Sequence, residues 1–245
     1  MADQSPIIFI GSRWGWDFLT ENCELLGIEV VGFLDKFYAK GDNWKGVECI
    51  GSEMELYDNP TKYKDCKFFL GNAWDGNSRA EKPEESGYNL RKQRIKLIKD
   101  LDLPVHSLIH PETKISRGST FGRGCYTGRW VDVRDDVHLG DFNEALDYAA
   151  FGHDVKTGEN CFVSVKGFLA GGVKTGDNCF IGCNATVVPG RFGGDLTLGN
   201  DVKVHGHAYV VKDMPDGTTA TFAGYRMRRN DVNIDTAETE KNISG

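Results

Sequence analysis

Val155-Lys-Thr-Gly-Glu-Asn-Cys-Phe-Val163 returns eighteen residues later as Val173-Lys-Thr-Gly-Asp-Asn-Cys-Phe-Ile181. Gly122, Gly140, Gly158, Gly176 and Gly194 keep the same interval. Within these turns small or apolar residues recur every six, as in Ser119 and Cys125 or Cys179 and Ala185. A fixed short period describes the whole architecture and outranks local propensity. Eighteen as three sixes is a triangular parallel β-helix, with one short strand on each side and inward positions stacked into a core. Glycine and asparagine at the corners are expected to supply the positive φ such turns need. A glycine-rich loop would not keep period, and a sandwich would not repeat nine positions nearly verbatim. The period slips once. Leu198-Gly199-Asn-Asp-Val202 has the form of a coil start but arrives five residues late, and the surplus is assigned to a loop over Gly190 to Asp195.

Working outward toward the N-terminus, the pattern changes. Ile7-Ile-Phe-Ile10 reads as a short buried strand, followed by Gly11-Ser-Arg-Trp-Gly15 and a helix through Leu26. Glu29-Val-Val-Gly-Phe-Leu34 is a second strand ending at Asp35, and Lys67-Phe-Phe-Leu70 a third ending at Gly71-Asn72. A helix follows with Leu90, Ile95, Leu97, Ile98 and Leu101 on one side. Its basic run, Arg91 to Lys99, reads as the solvated face. This alternation predicts an α/β N-terminal domain of Rossmann-like type over residues 1–105, a β-helix over 106–228 and a polar tail over 229–245.

Composition narrows the function. Among 245 residues, 40% are hydrophobic and 27% charged, with a formal net charge of −7. That balance excludes a general nucleic-acid binder, which needs a basic surface. No run approaches the roughly 20 apolar residues of a membrane span. No basic segment precedes the short apolar run Ile7 to Ile10, so no signal peptide and no membrane association are expected, and a cytoplasmic location follows. Seven cysteines without a CxxC pair support neither zinc nor a disulfide framework, and no metal is expected. Cys161 and Cys179, one coil apart, are expected to stack inward as small apolar groups.

Two places carry chemistry. A strand, a glycine turn and a helix make an anion cradle, and ligands of open α/β sheets bind at the carboxyl ends of strands. Gly11, Ser12, Asp35, Gly71 and Asn72 fall at three such ends; the competing reading is a packed sheet whose turns merely need glycine. The second place is His153 in Phe151-Gly-His-Asp-Val155. A lone histidine is more often structural, but its acidic neighbour and the glycine-lined wall favour a group that takes a proton near neutral pH. His205 and His207 share a strand face in this reading; with no third ligand evident they are taken as surface residues.

Phe33-Leu-Asp35, Leu108-Ile-His-Pro111, Gly152-His-Asp154 and Asn178-Cys-Phe-Ile-Gly182 resemble the sialic acid O-acetyltransferase and PglD-like bacterial sugar N-acetyltransferase group of hexapeptide-repeat acyltransferases. The similarity runs from about Ile7 to Arg228. It implies a left-handed β-helix, a homotrimer, and transfer of an acetyl group from acetyl-CoA to a nucleotide-linked amino sugar. By the same resemblance His153 is the general base and Asp154 its helper. Gly171, Cys183, Asn184, Ala223 and Gly224 hold the acyl donor. Gly11, Ser12, Arg13, Trp14, Asp35, Lys36, Gly71 and Asn72 hold the sugar nucleotide. Three positions depart from the pattern: Phe162 stands where many relatives place a second, donor-contacting histidine, Arg13, Trp14 and Trp16 crowd the glycine turn, and Tyr225-Arg226 replaces a proline. O-acetylation of a sugar hydroxyl uses the same base and fold, and a non-catalytic trimeric scaffold keeps the fold without the chemistry.

Overall fold

A computed structural model describes residues 4–12, 16–71, 87–189 and 194–222. The N-terminal part contains β1 (Ile7–Ile10), α1 (Trp16–Leu26), β2 (Val30–Leu34), β3 (Asn43–Trp44), β4 (Val47–Gly51), α2 (Glu55–Asp58), β5 (Lys67–Leu70) and α3 (Gly87–Asp100). Its sheet runs β3-β4-β2-β1-β5. All neighbours pair parallel except the β3–β4 hairpin. Strand β1 is buried on both faces, which is why Ile7 to Ile10 is uninterrupted by polar residues. The carboxyl ends of β1, β2, β4 and β5 open on one edge.

From Leu108 onward the chain winds as a three-sided parallel prism. One face stacks seven strands, from Leu108–Ile109 to Thr219–Ala220; the next stacks six, from Lys114–Ile115 to Tyr209–Val210. The third pairs Thr120–Phe121 with His138–Leu139 and, higher up, Val173–Thr175 with Leu196–Leu198. Single bridges continue it from His138 through Lys156 to Lys174. Inward residues form one column-like core that includes Val133, Phe151, Leu169, Val187, Cys161 and Cys179. All seven cysteines carry free thiols. Burial pushes the Cys125 thiol up to about 12, with smaller contributions of both signs from its neighbours. No described helix is long and apolar enough to cross a membrane.

Register locates the late coil. Phe162 pairs with Phe180, eighteen residues on, whereas Phe180 pairs with Lys203 and Val173 with Leu196, each twenty-three on. The five extra residues therefore enter between Val187 and Leu196, where the loop was expected; residues 190–193 of it lie outside the described residues. Two details of the repeat differ from expectation. Gly194 is not part of it: at φ +114 it meets nothing within 4 Å. The fifth member of the series is Gly199, which lies against Asp216 of the next coil. The corners differ too, because aromatic residues share them with asparagine and aspartate. Trp130, Phe142 and Tyr148 sit at φ 55, 57 and 61. Gly158 is needed instead for close approach, since a Cβ there would lie 2.6 Å from the backbone of Gly176. Asp and Asn side chains above such glycines accept from the coil below, as Asp177 does from Glu159 N–H at 2.7 Å and Asn200 from Asp177 N–H at 2.9 Å.

The N-terminal part lies over the seven-strand face. Asn22 of α1 donates to the Thr127 carbonyl at 3.2 Å, and Arg129 pairs with Glu21. Helix α3 covers the next coils, and here the solvated-face reading fails: Arg91 and Arg94 are 0% and 2% exposed. Arg91 donates to the carboxylate of Glu144, to Asn160 Oδ1 at 2.7 Å and to the Phe142 carbonyl at 2.8 Å. Burial pushes the guanidinium down and the Glu144 carboxyl up, and their mutual attraction opposes both shifts. Since arginine keeps its charge in proteins, the pair is ionic. Lys92 and Tyr88 reach Asp201, and Lys99 reaches Glu159.

A buried pair broken on one side leaves an uncompensated charge, at a cost of about 3–5 kcal/mol. Arg91→Met should lower unfolding stability by that order in urea titration. Arg91→Met combined with Glu144→Met should lose much less than the two single changes added together. Strict additivity would show that the two side chains do not act as a pair.

Candidate active site

His153 and Asp154 occupy the corner between the six-strand face and the third face, directly after the strand Ala150–Phe151. Asp154 adopts φ +60, and its Oδ2 lies 2.7 Å from His153 Nδ1. That bond holds the imidazole in one orientation and leaves Nε2 facing away from the carboxylate. The ring crosses Gly171 one coil higher: a Cβ there would fall 2.5 Å from Nε2 and 2.7 Å from Cε1. Glycine is therefore the residue that lets the imidazole lie flat along the wall. The N–H of Gly172 is taken by the His153 carbonyl at 2.9 Å, while Gly171 N–H donates to no group among the described residues.

This corner opens into a recess of about 660 Å³ bordered by His153, Gly171, Lys156, Lys174, Val188 and Asp195. Lys156 and Lys174 are consecutive members of the third face's outward column, and Lys174 pairs with Asp195. The lining thus carries two ammonium groups and the carboxylates of Asp154 and Asp195 beside the imidazole, and no group of three metal-ligating side chains occurs among the described residues. His153 has a side chain 72% exposed, so among the described residues the recess is open on one side.

The strand-end residues also converge. Asp35 Oδ2 accepts from Ser12 N–H at 2.9 Å and Ser12 Oγ–H at 2.7 Å, and Oδ1 accepts from Phe37 N–H at 3.0 Å. Gly71 packs so closely on β1 that a Cβ would lie 2.5 Å from the Gly11 carbonyl oxygen. Lys36 borders a smaller recess beside α3. Asp35 is only 2% exposed, and Arg94 from α3 approaches Oδ1 at 3.2 Å. Its carboxylate is thus engaged by the protein, and it shapes the turn at Ser12 from beneath.

Cys183 and Asn184 lie at another corner, between the seven-strand and six-strand faces, with Cys183 Sγ 3.0 Å from Ser164 Oγ. Within one chain they do not meet His153. Phe162 is on the seven-strand face, 5% exposed and stacked parallel on Phe180 at 5.5 Å. It is therefore away from the His153 corner altogether. His205 and His207 flank a corner rather than sharing a strand, and His207 packs edgewise on Phe222 at 6.4 Å. Arg13, Trp14, Asn72, Ala223, Gly224 and the Tyr225-Arg226 departure lie outside the described residues. Sequence reasoning missed Lys156, Lys174, Glu53 and Arg94; the repeated Val-Lys-Thr marked the two lysines, and nothing local marked the others.

Neither a family model nor a curated relative matches the chain. Solved structures do. PerB from Caulobacter crescentus, in complex with CoA and GDP-perosamine, is 21% identical at a TM-score of 0.61, over 89% of this chain and 97% of that one. WeeI from Acinetobacter baumannii is 17% identical at 0.65, over 89% and 99%. The acetyltransferase domain of PglB from Neisseria gonorrhoeae, in complex with acetyl coenzyme A, is 19% identical at 0.55, over 90% and 100%. The chain has the fold of these bacterial proteins, among them an acetyltransferase domain. At such identities the likeness establishes architecture along nearly the whole length, and the chemistry must be argued from the corner at His153.

Gly171→Ala tests that corner directly. The added methyl should swing the imidazole off the wall and break its bond to Asp154, read as a changed His153 ring environment by NMR. Thermal stability should stay close to the parent's, because the ring is exposed. An imidazole that remains on Asp154 in the variant would show that the close approach to Gly171 does not position it.

Proposed function

We propose that the protein transfers an acetyl group from acetyl-CoA to the amine of a nucleotide-linked amino sugar, with His153 as general base. The observation that carries this reading is the imidazole clamped between Asp154 and Gly171 in an open recess flanked by lysines. Nε2 takes the proton as the amine attacks the thioester carbonyl; the C–S bond then breaks and CoA leaves as the thiol, protonated from the imidazolium. The Gly171 N–H is suited to stabilise the oxyanion of the tetrahedral intermediate. Asp154 orients the ring without itself removing the substrate proton. Neighbours of the same fold support the substrate classes: one holds CoA with GDP-perosamine, and another is a histidine-to-alanine variant of GDP-perosamine N-acetyltransferase with the same two ligands.

The same reading divides the chain near residue 105 into a Rossmann-like acceptor domain and a left-handed β-helix that carries the donor. The nucleotide is placed at Gly11, Ser12, Lys36 and Gly71, with Asp35 positioning Ser12. A homotrimer completes the donor site. With the seven-strand face covered by the N-terminal part, two faces remain; of these the six-strand face is bounded on one side by His153 and on the other by Cys183 and Asn184. Phe168 and Tyr209 stand exposed on it, and Trp130 stacks on Tyr148 at 4.8 Å along its edge. Three-fold closure sets the His153 corner of one copy against the Cys183–Asn184 corner of the next. Acetyl-CoA as donor places the enzyme in the cytoplasm.

General base catalysis typically contributes about 10²- to 10⁴-fold. His153→Ala should lower thiol release from acetyl-CoA by that factor with a nucleotide amino sugar as acceptor, while CoA affinity by calorimetry is kept. Near-parental turnover in the purified variant would remove the mechanism. Light scattering should return three times the mass of the chain, and a monomer at micromolar concentration would remove the shared donor site.

A further inference from the structure

Glu53, just past the carboxyl end of β4, is 3% exposed. Its Oε1 accepts from Arg94 Nε at 2.9 Å, and Arg94 Nη2 lies 2.8 Å from the same oxygen as an ion pair rather than a hydrogen bond. Its Oε2 is buried and accepts no hydrogen bond among the described residues. A carboxylate taken out of water with one oxygen unserved is costly, and an interior tolerates it where something else supplies the donor. Glu53 lines a recess of about 210 Å³ walled by Met54, Tyr57, Leu90 and Leu97, with Lys36, Gln93, Arg94 and Lys96 as its other polar members. That volume is below the roughly 300 Å³ at which drug-sized sites begin and suits a single flat heterocycle. Arg94 joins this recess to the turn at Ser12, because the same Nη2 that serves Glu53 lies 3.2 Å from Asp35 Oδ1.

We propose that Glu53 reads the base of the acceptor nucleotide, and that the base is guanine. The assignment rests on the reading above that the acceptor is nucleotide-linked, and it adds the residue and the base. A buried carboxylate oxygen accepts only. Guanine offers it two adjacent donors, the N1–H and the N2 amino group. Uracil has one N–H between two carbonyl oxygens that a carboxylate repels. Adenine and cytosine place an acceptor nitrogen next to their amino group, where guanine has a second donor. The apolar walls cover the ring faces, and Lys36 remains for the charged part of the nucleotide.

Calorimetry on the full chain tests this with GDP, UDP, 1-methylguanosine diphosphate and ribose 5-diphosphate. The parent protein should bind GDP at least tenfold tighter than UDP or the 1-methyl derivative, which lacks the N1 donor. Glu53→Gln, which puts an amide donor or a neutral oxygen at the recess, should weaken GDP about 10- to 100-fold. It should leave ribose 5-diphosphate and CoA unchanged. Equal losses for GDP and ribose 5-diphosphate would make Glu53 a support for Arg94 only, and a parent preference for UDP or indifference to N1-methylation would overturn the proposal even if the variant fails to fold. Turnover is read separately. Failure of thiol release with the GDP pattern intact would reject acetyl transfer and keep the base assignment. Acetyl transfer by a protein that binds GDP no better than ribose 5-diphosphate would do the reverse.

Discussion

A guanidinium removed from water is tolerable only where its donors meet acceptors, and Arg91 meets its acceptors on two successive coils of the prism: Phe142 and Glu144 on one, Asn160 on the next. That requirement fixes the height at which α3 rests on the seven-strand face, since a shift by one coil would present Phe162 or Tyr126 to the arginine in place of Glu144. Three residues along the same helix, Arg94 is buried in the opposite partnership, with Glu53 and Asp35 of the N-terminal sheet. One helix thus ties the strand ends where Gly11, Ser12 and Gly71 gather to a defined level of the β-helix. It also decides which face is covered. The seven-strand face is closed by protein, so the corner bearing His153 is left between the two others.

The prism was legible because its determinants are local and repeated. Inward positions must be small or apolar at every sixth residue, and coil starts must bring backbones close, which glycine allows at Gly158 and its equivalents. The alternation of short apolar runs and helices in the first hundred residues was legible for the same reason. The docking of α3 was not. A run such as Arg91-Lys-Gln-Arg94 looks solvated until its partners are known, and Glu53, Glu144 and Asn160 lie 41 to 69 residues away with no pattern linking them. Corner chemistry misled in a different way. Propensity puts glycine or asparagine at positive φ, yet Trp130 and Tyr148 hold it, stacked on each other across coils, and Lys166 lies 5.9 Å from the Tyr148 ring. Contacts between coils offset a backbone preference that any single turn would have obeyed.

The His153–Asp154 pair was readable because its two members are adjacent in the chain. What the sequence could not convey is how the neighbouring coil completes it. Gly171 matters through the absence of a side chain beneath the imidazole, and Lys156 and Lys174 matter because a period of eighteen places equivalent residues on one outward column. A repeat that looks purely architectural therefore also concentrates charge, since any cation kept in the repeat is duplicated one coil away. The strand-end site shows the converse. Asp35 was expected to meet a ligand directly, but its oxygens are used inside the protein, and the buried acceptor left over belongs to Glu53, one strand further out.

Exposure of the base bears on the assembly. An imidazole and a backbone N–H contribute most where water is excluded, because fixed dipoles act more strongly at low dielectric and compete with fewer solvent hydrogen bonds. In one chain the His153 side chain is 72% exposed, which is a poor setting for stabilising an oxyanion. Among the described residues, none covers it from the six-strand side, where Phe168 and Tyr209 face outward. The N-terminal part cannot move there without breaking the buried Arg91 network. The surface best matched to an exposed, partly aromatic strand face is another parallel β-helix, whose flat sides and repeated corners present like to like. Under the proposed function the enclosure would come from the proposed homotrimer, and the buried arginine that holds the N-terminal part on the seven-strand face leaves the six-strand face open to it.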